Sequence, residues 1–317
     1  MKWKTRITDL FGCKYPILEG AYAGFGTWEF AAACASAGVH GLITASTSRT
    51  PEQLREDIRK CKKATSGSFG VNLSLGICPR IEEMLEVCIE EKVPVETAIY
   101  RPDSLVPRIK ESGITWIHKT ARVMDSLYAE SLEANAVILV GVEGVGFKNP
   151  TQLPTLINIT WGAPQFKVPV VAAGGIGDAR GLLGALAMGA DGIMMGTAFM
   201  ATKECPTSEA SKIDMVNSRP DNAKLRWRVM SHASPKDYAE VIRKRQGLSL
   251  SEWLPMLERI QPKAKDWEGD PNVPEPTKVG SLAVGAINSV PTVKEFIGNM
   301  IKEAEELAEK WEWIKKR

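Results

Sequence analysis

The sequence contains few histidines and no long hydrophobic run. Its 317 residues include only His40, His118 and His232, so chemistry that uses imidazole as an acid or base has few candidates. No stretch approaches the roughly 18–20 consecutive apolar residues that a membrane span needs. Asp9 interrupts the N-terminus where a signal peptide would need an apolar core. We therefore expect a cytoplasmic protein with no membrane partner.

The sequence also lacks a strong charge of either sign and any cysteine pattern typical of a metal site. It has 40 Lys+Arg and 38 Asp+Glu residues, a formal net charge of +2, which argues against the basic field of a nucleic-acid-binding protein. The six cysteines are scattered and form no Cys-x-x-Cys pair, so we predict reduced thiols and no metal. A hydrophobic content of 44% excludes disorder as the main state.

Eight apolar runs of strand length recur along the first two thirds of the chain, each followed by a helical pattern. They lie at residues 16–20, 39–44, 69–73, 94–98, 115–119, 136–140, 169–173 and 192–195. Runs this apolar are typical of parallel strands buried on both faces. Eight such units predict a (β/α)8 TIM barrel in the α/β class. A doubly wound sheet is the alternative, because strand order cannot be read from the sequence.

The pattern changes after Met200. Residues 205–290 show no strand alternation and are rich in Lys, Arg, Trp and Pro. We therefore predict a barrel over residues 1–204, a helical insertion or lid over 205–290, and a C-terminal helix over 291–317 that packs on the barrel. Thr27, Thr50, Asp178 and Thr292 are expected helix N-caps.

In a barrel of this kind the site lies at the carboxyl ends of the strands. Gly174 and Gly175 follow the seventh predicted strand, and Gly196 and Thr197 follow the eighth. Paired turns in these positions favour a phosphate site, and tight turns without a ligand are the alternative.

Residues after the earlier strands suit a flat ring. Gly20 and Ala21 are small enough to leave room against the backbone, and Asn72 offers an amide to a hydrogen-bonding edge. His118 and Lys119 end the fifth strand, and one of the two must face away from the site.

Several stretches, in the right order, are similar to those of one enzyme family. They read PILEGAYAG, FGVNL, IHK, GVEGVG, VPVVAAGGIGDARG and GADGIMMGTAFMATKE. The chain resembles the nitronate monooxygenase (2-nitropropane dioxygenase) family, which includes the flavin-dependent enoyl-acyl carrier protein reductase of type II.

The resemblance implies an oxidoreductase with non-covalent FMN as its cofactor. Gly20 and Ala21 would flank the isoalloxazine ring, Asn72 would contact its pyrimidine edge, and Lys119 would lie near its N1/C2 oxygen region or ribityl chain. The expected phosphate ligands are Gly174, Gly175, Gly196 and Thr197, and Gly144 is a further cofactor-binding candidate.

The sequence departs from the family at one position. The family's motif after strand six reads like Gly-x-Glu-Ala-Gly-Gly-His, whereas this chain has Phe147 at the catalytic histidine position. A phenyl ring cannot accept a proton, so general base catalysis is lost there. His232 and Glu143 are the candidate catalytic replacements. His232 could instead be a surface or cap residue, and Glu143 a helix cap or a partner of Lys148.

Three functions follow as hypotheses. The first is an FMN-dependent oxidoreductase of the nitronate monooxygenase type, acting on a nitronate. The second is an NADH- or NADPH-dependent reductase of an enoyl thioester or quinone. The third is a non-catalytic barrel that binds a flavin or phosphate ligand. A homodimer is left open, as is the choice of acceptor.

Basic residues of the predicted lid add one further hypothesis. Seven lysines and arginines of this segment could form a docking patch for CoA, acyl carrier protein or NADPH, and a solvated helix face is the alternative. They are Lys224, Arg226, Arg228, Lys236, Arg243, Lys244 and Arg245.

Overall fold

Eight parallel strands lie at the centre of the computed structural model, which describes residues 2–20, 24–98, 101–146, 149–245, 248, 250–263 and 266–311. The strands are β1 (Ile17–Glu19), β2 (Gly41–Thr44), β3 (Phe69–Ser74), β4 (Val95–Ala98), β5 (Trp116–Thr120), β6 (Ala136–Val140), β7 (Val170–Ala173) and β8 (Gly192–Met195). Each of the eight predicted strands is present, with bounds shifted by at most two residues. Burial on both faces explains why continuous apolar runs located them.

The strands close into a barrel. Each is paired with its sequence neighbour from β2 through β8, and β8 pairs with β1. The remaining seam is closed by a parallel bridge between Leu18 and His40, where the Glu19 amide donates to the His40 carbonyl at 2.8 Å and the His40 amide donates to the Ile17 carbonyl at 2.9 Å. The predicted TIM barrel is confirmed, and the doubly wound alternative is wrong because neighbouring strands never reverse their order.

Helices surround the sheet. They are α1 (Arg6–Phe11), α2 (Trp28–Ser36), α3 (Ala45–Ser48), α4 (Pro51–Ala64), α5 (Ile81–Glu90), α6 (Val106–Ser112), α7 (Val123–Ser131), α8 (Thr155–Gly162), α9 (Ala179–Ala187) and α10 (Thr197–Met200). Thr27, Thr50 and Asp178 cap α2, α4 and α9 with their side chains, as predicted.

After the barrel the chain is helical. The helices are α11 (Glu209–Asn217), α12 (Ala223–Met230), α13 (Pro235–Lys244), α14 (Leu250–Ile260) and α15 (Val293–Glu309). Thr292 and Glu295 form the predicted capping box of α15, which packs against α9 and α2. The division at residues 204 and 290 stays a prediction.

Two contacts hold together the ends of the segment 205–290. The Lys203 amide donates to the Pro291 carbonyl at 2.9 Å, and the Val293 amide donates to the Glu204 carboxylate at 2.9 Å. The segment therefore leaves the barrel and returns to it at nearly the same place. In the described part of the chain, no helix is both long enough and apolar enough to cross a membrane.

The barrel interior is largely apolar, with a polar group at the carboxyl ends of β3, β4 and β5. Its apolar side chains include Leu18, Leu42, Ile117, Ile138, Val171 and Met194, joined by Ile7 and Phe11 of α1. Lys119 follows Ile117 by two residues on β5, so it faces the same side. Asn72 and Glu96 are paired in register on the two preceding strands. A polar group therefore lies inside the barrel on the side where a site is expected.

His40 is buried at the closing seam. Its ring lies 4.1 Å from that of Phe11, and its Nδ1 lies 2.7 Å from Ser68 Oγ. The Ser68 hydroxyl donates its proton to the Phe11 carbonyl, so His40 Nδ1 carries the hydrogen of this pair. Burial lowers the pKa of His40 to about 3. The imidazole is therefore neutral in the folded barrel at every pH near neutrality.

The His40 seam predicts acid sensitivity. The unfolded chain binds a proton at His40 near pH 6.5 and the folded chain only near pH 3, so stability is complete above the unfolded value and falls as the pH drops below it. Between pH 7 and pH 5 we expect this histidine to lower the free energy of unfolding by about 2 kcal/mol. Urea denaturation at the two pH values measures the change.

The matched variant is His40→Asn, whose side-chain amide can donate to Ser68 but does not titrate in this range. Its free energy of unfolding should fall less between pH 7 and pH 5. An equal fall in both proteins would show that the seam histidine does not couple to folding.

Candidate functional site

A cavity of about 390 Å³ opens at the carboxyl ends of the strands. Most of its walls come from residues at or just after the ends of the strands, and α7 and Ser281 also contribute. Tyr238, Arg245 and Leu257 of the α13–α14 region complete them. Its volume lies within the range of small-molecule sites, and its place in the barrel is where barrel enzymes bind their substrates. This cavity is the candidate active site.

Glycines form the wall on the side of β7, β8 and β1. Gly174 and Gly175 have φ values of 101° and 73°, a conformation that side chains disfavour. A Cβ at Gly174 would lie 2.9 Å from the Gly141 carbonyl oxygen, and one at Gly196 would lie 3.1 Å from the Gly20 carbonyl oxygen. Predicted residues Gly20, Gly144, Gly174, Gly175 and Gly196 all line the cavity. The chain therefore brings backbone to the cavity at these turns, beside the side chains of Ile176, Met194 and Met195.

Thr197 begins α10 at the same wall, with its hydroxyl already engaged. It donates to Ser281 Oγ at 2.9 Å and accepts from the Ser281 amide at 3.0 Å. Both residues line the cavity. Ser281 was not among the predicted site residues. The C-terminal part of the chain therefore completes the wall that the last strand begins.

A buried ion pair lies at the opposite wall. Lys119 Nζ lies 2.6 Å from Glu96 Oε1, with the Lys119 side chain 19% exposed and the Glu96 side chain fully buried. Asn72 Nδ2 donates to the same oxygen at 2.9 Å, and Ser74 Oγ donates to Asn72 Oδ1 at 2.8 Å. Lys119 and Ser74 reach the cavity, whereas Asn72 does not. The structure thus brings the predicted Lys119 and Asn72 together through a carboxylate.

Glu96 was not predicted as a site residue. Its sequence signal is a carboxylate in the middle of the apolar strand PVETA, because a buried charge needs a partner. Its location next to Lys119 depends on the register of β4 and β5, which the sequence does not reveal.

Several polar atoms at or beside the cavity have no hydrogen-bond partner among the described residues. They are Oε1 of Gln152, Oγ of Ser46 and Oε2 of Glu96. Gln152 and Ser46 line the cavity, and Gln152 Nε2 is fixed on the Val140 carbonyl at 3.0 Å. Because buried polar atoms are normally paired, these groups suit a ligand with hydrogen-bonding edges.

Glu143 and His232, the two predicted catalytic residues, do not line the cavity. The Glu143 carboxylate accepts from the Thr155 amide at 2.9 Å and from its hydroxyl at 2.9 Å, and so caps the start of α8. His232 Nδ1 lies 2.9 Å from the Ala233 carbonyl oxygen. The helix-cap alternative for Glu143 therefore describes its observed contacts.

His118 touches the cavity but its ring is engaged. Its Nδ1 lies 2.7 Å from Thr97 Oγ1, which also accepts from Trp116 Nε1 at 2.7 Å. Lys119 is thus the member of the pair that faces the interior, as strand alternation requires. Ala21 and Phe147, together with Lys148, lie outside the described residues.

The basic residues of the lid are not gathered at the cavity. Of the seven predicted, Arg245 alone lines it. Lys224 pairs with Glu275 at 2.5 Å, Lys244 pairs with Glu240 at 2.6 Å, and Arg228 donates to backbone carbonyls. The solvated-face alternative describes most of the patch.

Comparison with known proteins matches the chain to one family. The family model of nitronate monooxygenase matches residues 4–84 and 78–303. A probable nitronate monooxygenase of Staphylococcus aureus (strain JH9) is 29% identical over 261 residues, an alignment that covers 68% of this chain and 73% of the relative. A (3aS,4S,5R,7aS)-5-hydroxy-7a-methyl-1-oxo-octahydro-1H-indene-4-carboxyl-CoA dehydrogenase of Mycobacterium tuberculosis is 30% identical over 234 residues, covering 72% and 64%.

Two solved structures are similar over nearly the whole chain. FabK from Thermotoga maritima is 29% identical with a TM-score of 0.76, and the match covers 98% of each chain. Nitroalkane oxidase from Streptomyces ansochromogenes is 20% identical with a TM-score of 0.69, covering 96% of this chain and 100% of that one; this second likeness concerns the fold.

The buried ion pair predicts a large cost for removing its cation. Lys119→Ala leaves the Glu96 carboxylate without its charged partner inside the barrel, and we expect the free energy of unfolding to fall by about 3 kcal/mol. Chemical denaturation measures it. The matched control is Lys110→Ala, whose exposed pair with Glu133 has the same 2.6 Å separation and should contribute at most about 1 kcal/mol. Equal losses in the two variants would contradict the role assigned to burial.

Proposed function

The chain belongs to the nitronate monooxygenase family, and we propose that it is an oxidoreductase that uses FMN and needs no protein base for substrate activation. Family membership makes it an enzyme, so the non-catalytic barrel is set aside. The observation that carries the proposal is the cavity itself, with a backbone wall on one side and a buried Lys–Glu pair on the other.

The residues around the cavity fit a flavin mononucleotide. Gly174, Gly175, Gly196 and Thr197 would hold its phosphate, since the two turns present backbone at the carboxyl ends of β7 and β8. Gly20, Gly144 and Ala21 are the proposed neighbours of the ring. The unpartnered oxygens of Gln152 and Ser46 match a ligand whose edge carries both donors and acceptors.

When bound, FMN supplies the capacity to accept and return a hydride or single electrons. Lys119 holds an ammonium group at the cavity wall, where it stabilises negative charge that develops in the cavity. Glu96 fixes the direction of that ammonium group, and Asn72 fixes Glu96 in turn. We propose Asn72 as a residue that acts on the cofactor through Glu96 and Lys119.

The acid–base residues around the cavity are engaged with other protein groups. Glu143 caps α8, and His118 is bonded to Thr97. Asp125 is held by two bonds from Arg122, at 2.7 and 2.6 Å. With Phe147 in the family's histidine position, a substrate that arrives as an anion, such as a nitronate, or as a hydride donor suits this site better than a neutral nitroalkane.

A second candidate is the NADH- or NADPH-dependent reduction of an enoyl thioester or quinone. It is favoured by the three arginines that line the cavity, because thioester carriers and nicotinamide dinucleotides bear phosphates. Relatives whose name contains a CoA thioester and the similarity to FabK support it. A cytoplasmic location and a homodimer stay predictions.

Anaerobic spectroscopy tests the proposal. The purified protein should carry a yellow, non-covalent flavin that is released as FMN on denaturation. We expect propionate-3-nitronate, NADPH or NADH to bleach the flavin absorbance without oxygen, since neither half-reaction requires a protein base. Bleaching by nitronate supports the first candidate, and bleaching by a nicotinamide supports the second. A colourless protein that binds no added FMN would contradict both.

Restoring the family's histidine gives a further prediction. Phe147→His should confer measurable oxidation of a neutral nitroalkane, with about a hundredfold gain over the parent, because general base catalysis contributes about that much or more. The rate should rise with pH as the imidazole loses its proton. Phe147→Leu is the matched control and should show no gain. A gain with both variants would show that steric space, not a base, limits the reaction.

A further inference from the structure

Three arginines from three separate elements line the cavity. Arg101 follows β4, Arg122 follows β5, and Arg245 lies at the end of α13. Among the described residues that line the cavity, Asp125 is the one carboxylate. The part of the cavity wall that carries the three arginines, called the cationic rim below, therefore has an excess of positive charge. The net charge of the whole chain, by contrast, is close to zero. Such an excess inside a cavity favours an anionic ligand.

The arginines lie on the side of the barrel away from the glycine turns. In the closed sheet, β6 separates β5 from β7, and four strand steps separate β4 from β8 in either direction around the barrel. The phosphate of FMN is proposed at β7 and β8, so the charges at β4, β5 and α13 remain for another anion.

Each arginine is already positioned by an aromatic ring or a carboxylate. The Arg101 guanidinium lies 4.2 Å from the centre of the Tyr128 ring, and that of Arg245 lies 5.5 Å from the Trp253 ring. Arg122 uses Nε and Nη2 to bind Asp125, and Nη1 takes no part in this described pair. Groups that are held before binding lose less conformational freedom when a ligand arrives.

Tyr238 lies within electrostatic range of two of the three arginines, Arg122 and Arg245. Its hydroxyl accepts from Asn149 Nδ2 at 2.8 Å, and it lines the cavity. Burial raises the pKa of the Tyr238 phenol, while Arg122 and Arg245 act in the opposite direction. Both guanidinium groups are therefore within electrostatic range of one ring. The cationic rim and the rings of Tyr128 and Tyr238 face the same space.

We propose that Arg101, Arg122 and Arg245 form a binding site for an adenosine diphosphate group with a further phosphate on its ribose, the class of group that CoA carries with a 3′-phosphate and NADPH with a 2′-phosphate. Its pyrophosphate and its separate phosphomonoester match cations carried by separate elements. Its adenine matches the rings of Tyr128 and Tyr238, which line the cavity, and the guanidinium planes beside them. The inference rests on the proposed function, because it assigns a substrate or reductant class to that same cavity.

Paired ligands that differ by one phosphate test the proposal. Calorimetric titration compares CoA with dephospho-CoA, and anaerobic flavin reduction compares NADPH with NADH. We expect the phosphorylated member of at least one pair to bind about tenfold or more tightly. Discrimination within the CoA pair identifies a thioester carrier, and discrimination within the nicotinamide pair identifies the reductant.

Variants locate the effect. Arg101→Ala and Arg245→Ala should each weaken binding of the phosphorylated ligand about tenfold or more. The variant that removes the phosphomonoester contact should also lose the discrimination within the pair, and Arg245→Lys should retain part of the affinity. The matched control is Arg243→Ala, which removes the same charge from an exposed position on α13 and should bind both ligands as the parent does.

The outcomes separate the two proposals. Equal affinity for both members of both pairs, in a protein that retains its FMN, overturns the arginine site. The arginine site is also overturned if Arg243→Ala weakens binding as much as Arg245→Ala does. A protein that binds no flavin but still distinguishes CoA from dephospho-CoA overturns the proposed function and supports the arginine site.

Discussion

Closure of the barrel between β1 and β2 is the constraint on which the rest of the molecule depends. A few backbone hydrogen bonds around Leu18 and His40 complete the ring of strands. With the ring complete, the carboxyl ends of β4 and β5 face those of β8 and β1 across one space. An open sheet of the same strands would place the glycine turns and the Lys119–Glu96 pair along a line instead of around a cavity.

Closure also separates two chemistries within the site. The wall made by β7, β8 and β1 brings backbone to the cavity at Gly174 and Gly196, where an added Cβ would be crowded by a neighbouring carbonyl oxygen. The wall made by β3, β4 and β5 offers a charged pair, buried in a largely apolar interior. The two walls together suit a ligand with a phosphate at one end and a polar ring at the other. The glycine turns offer backbone to the phosphate, and the ion pair offers charge to the ring.

The sequence predicted those features that depend on local pattern. The strands were found because burial on both faces produces continuous apolar runs, and the glycine turns because they follow strands directly. Glu96 was missed because its role depends on the register of β4 and β5. Gln152 was missed because its role depends on a side-chain oxygen without a partner. Ser281 was missed because it contacts Thr197, which lies 84 residues away in the sequence. Glu143 was predicted to be catalytic because a carboxylate can act as an acid or base. In the fold its carboxylate instead contacts Thr155, twelve residues along the chain.

The two contacts that join Lys203 to Pro291 and Glu204 to Val293 have a consequence for how such enzymes diversify. They hold the two ends of the segment together, so a change in the length of its outer part need not separate the ends of the barrel chain. Each doubling of a closed loop adds only about 0.6 kcal/mol to its entropic cost. Arg245 and Tyr238, which face the cavity, belong to this segment. Natural variation can therefore exchange the surface that we propose recognises the substrate, while the proposed flavin-binding turns of the barrel stay the same.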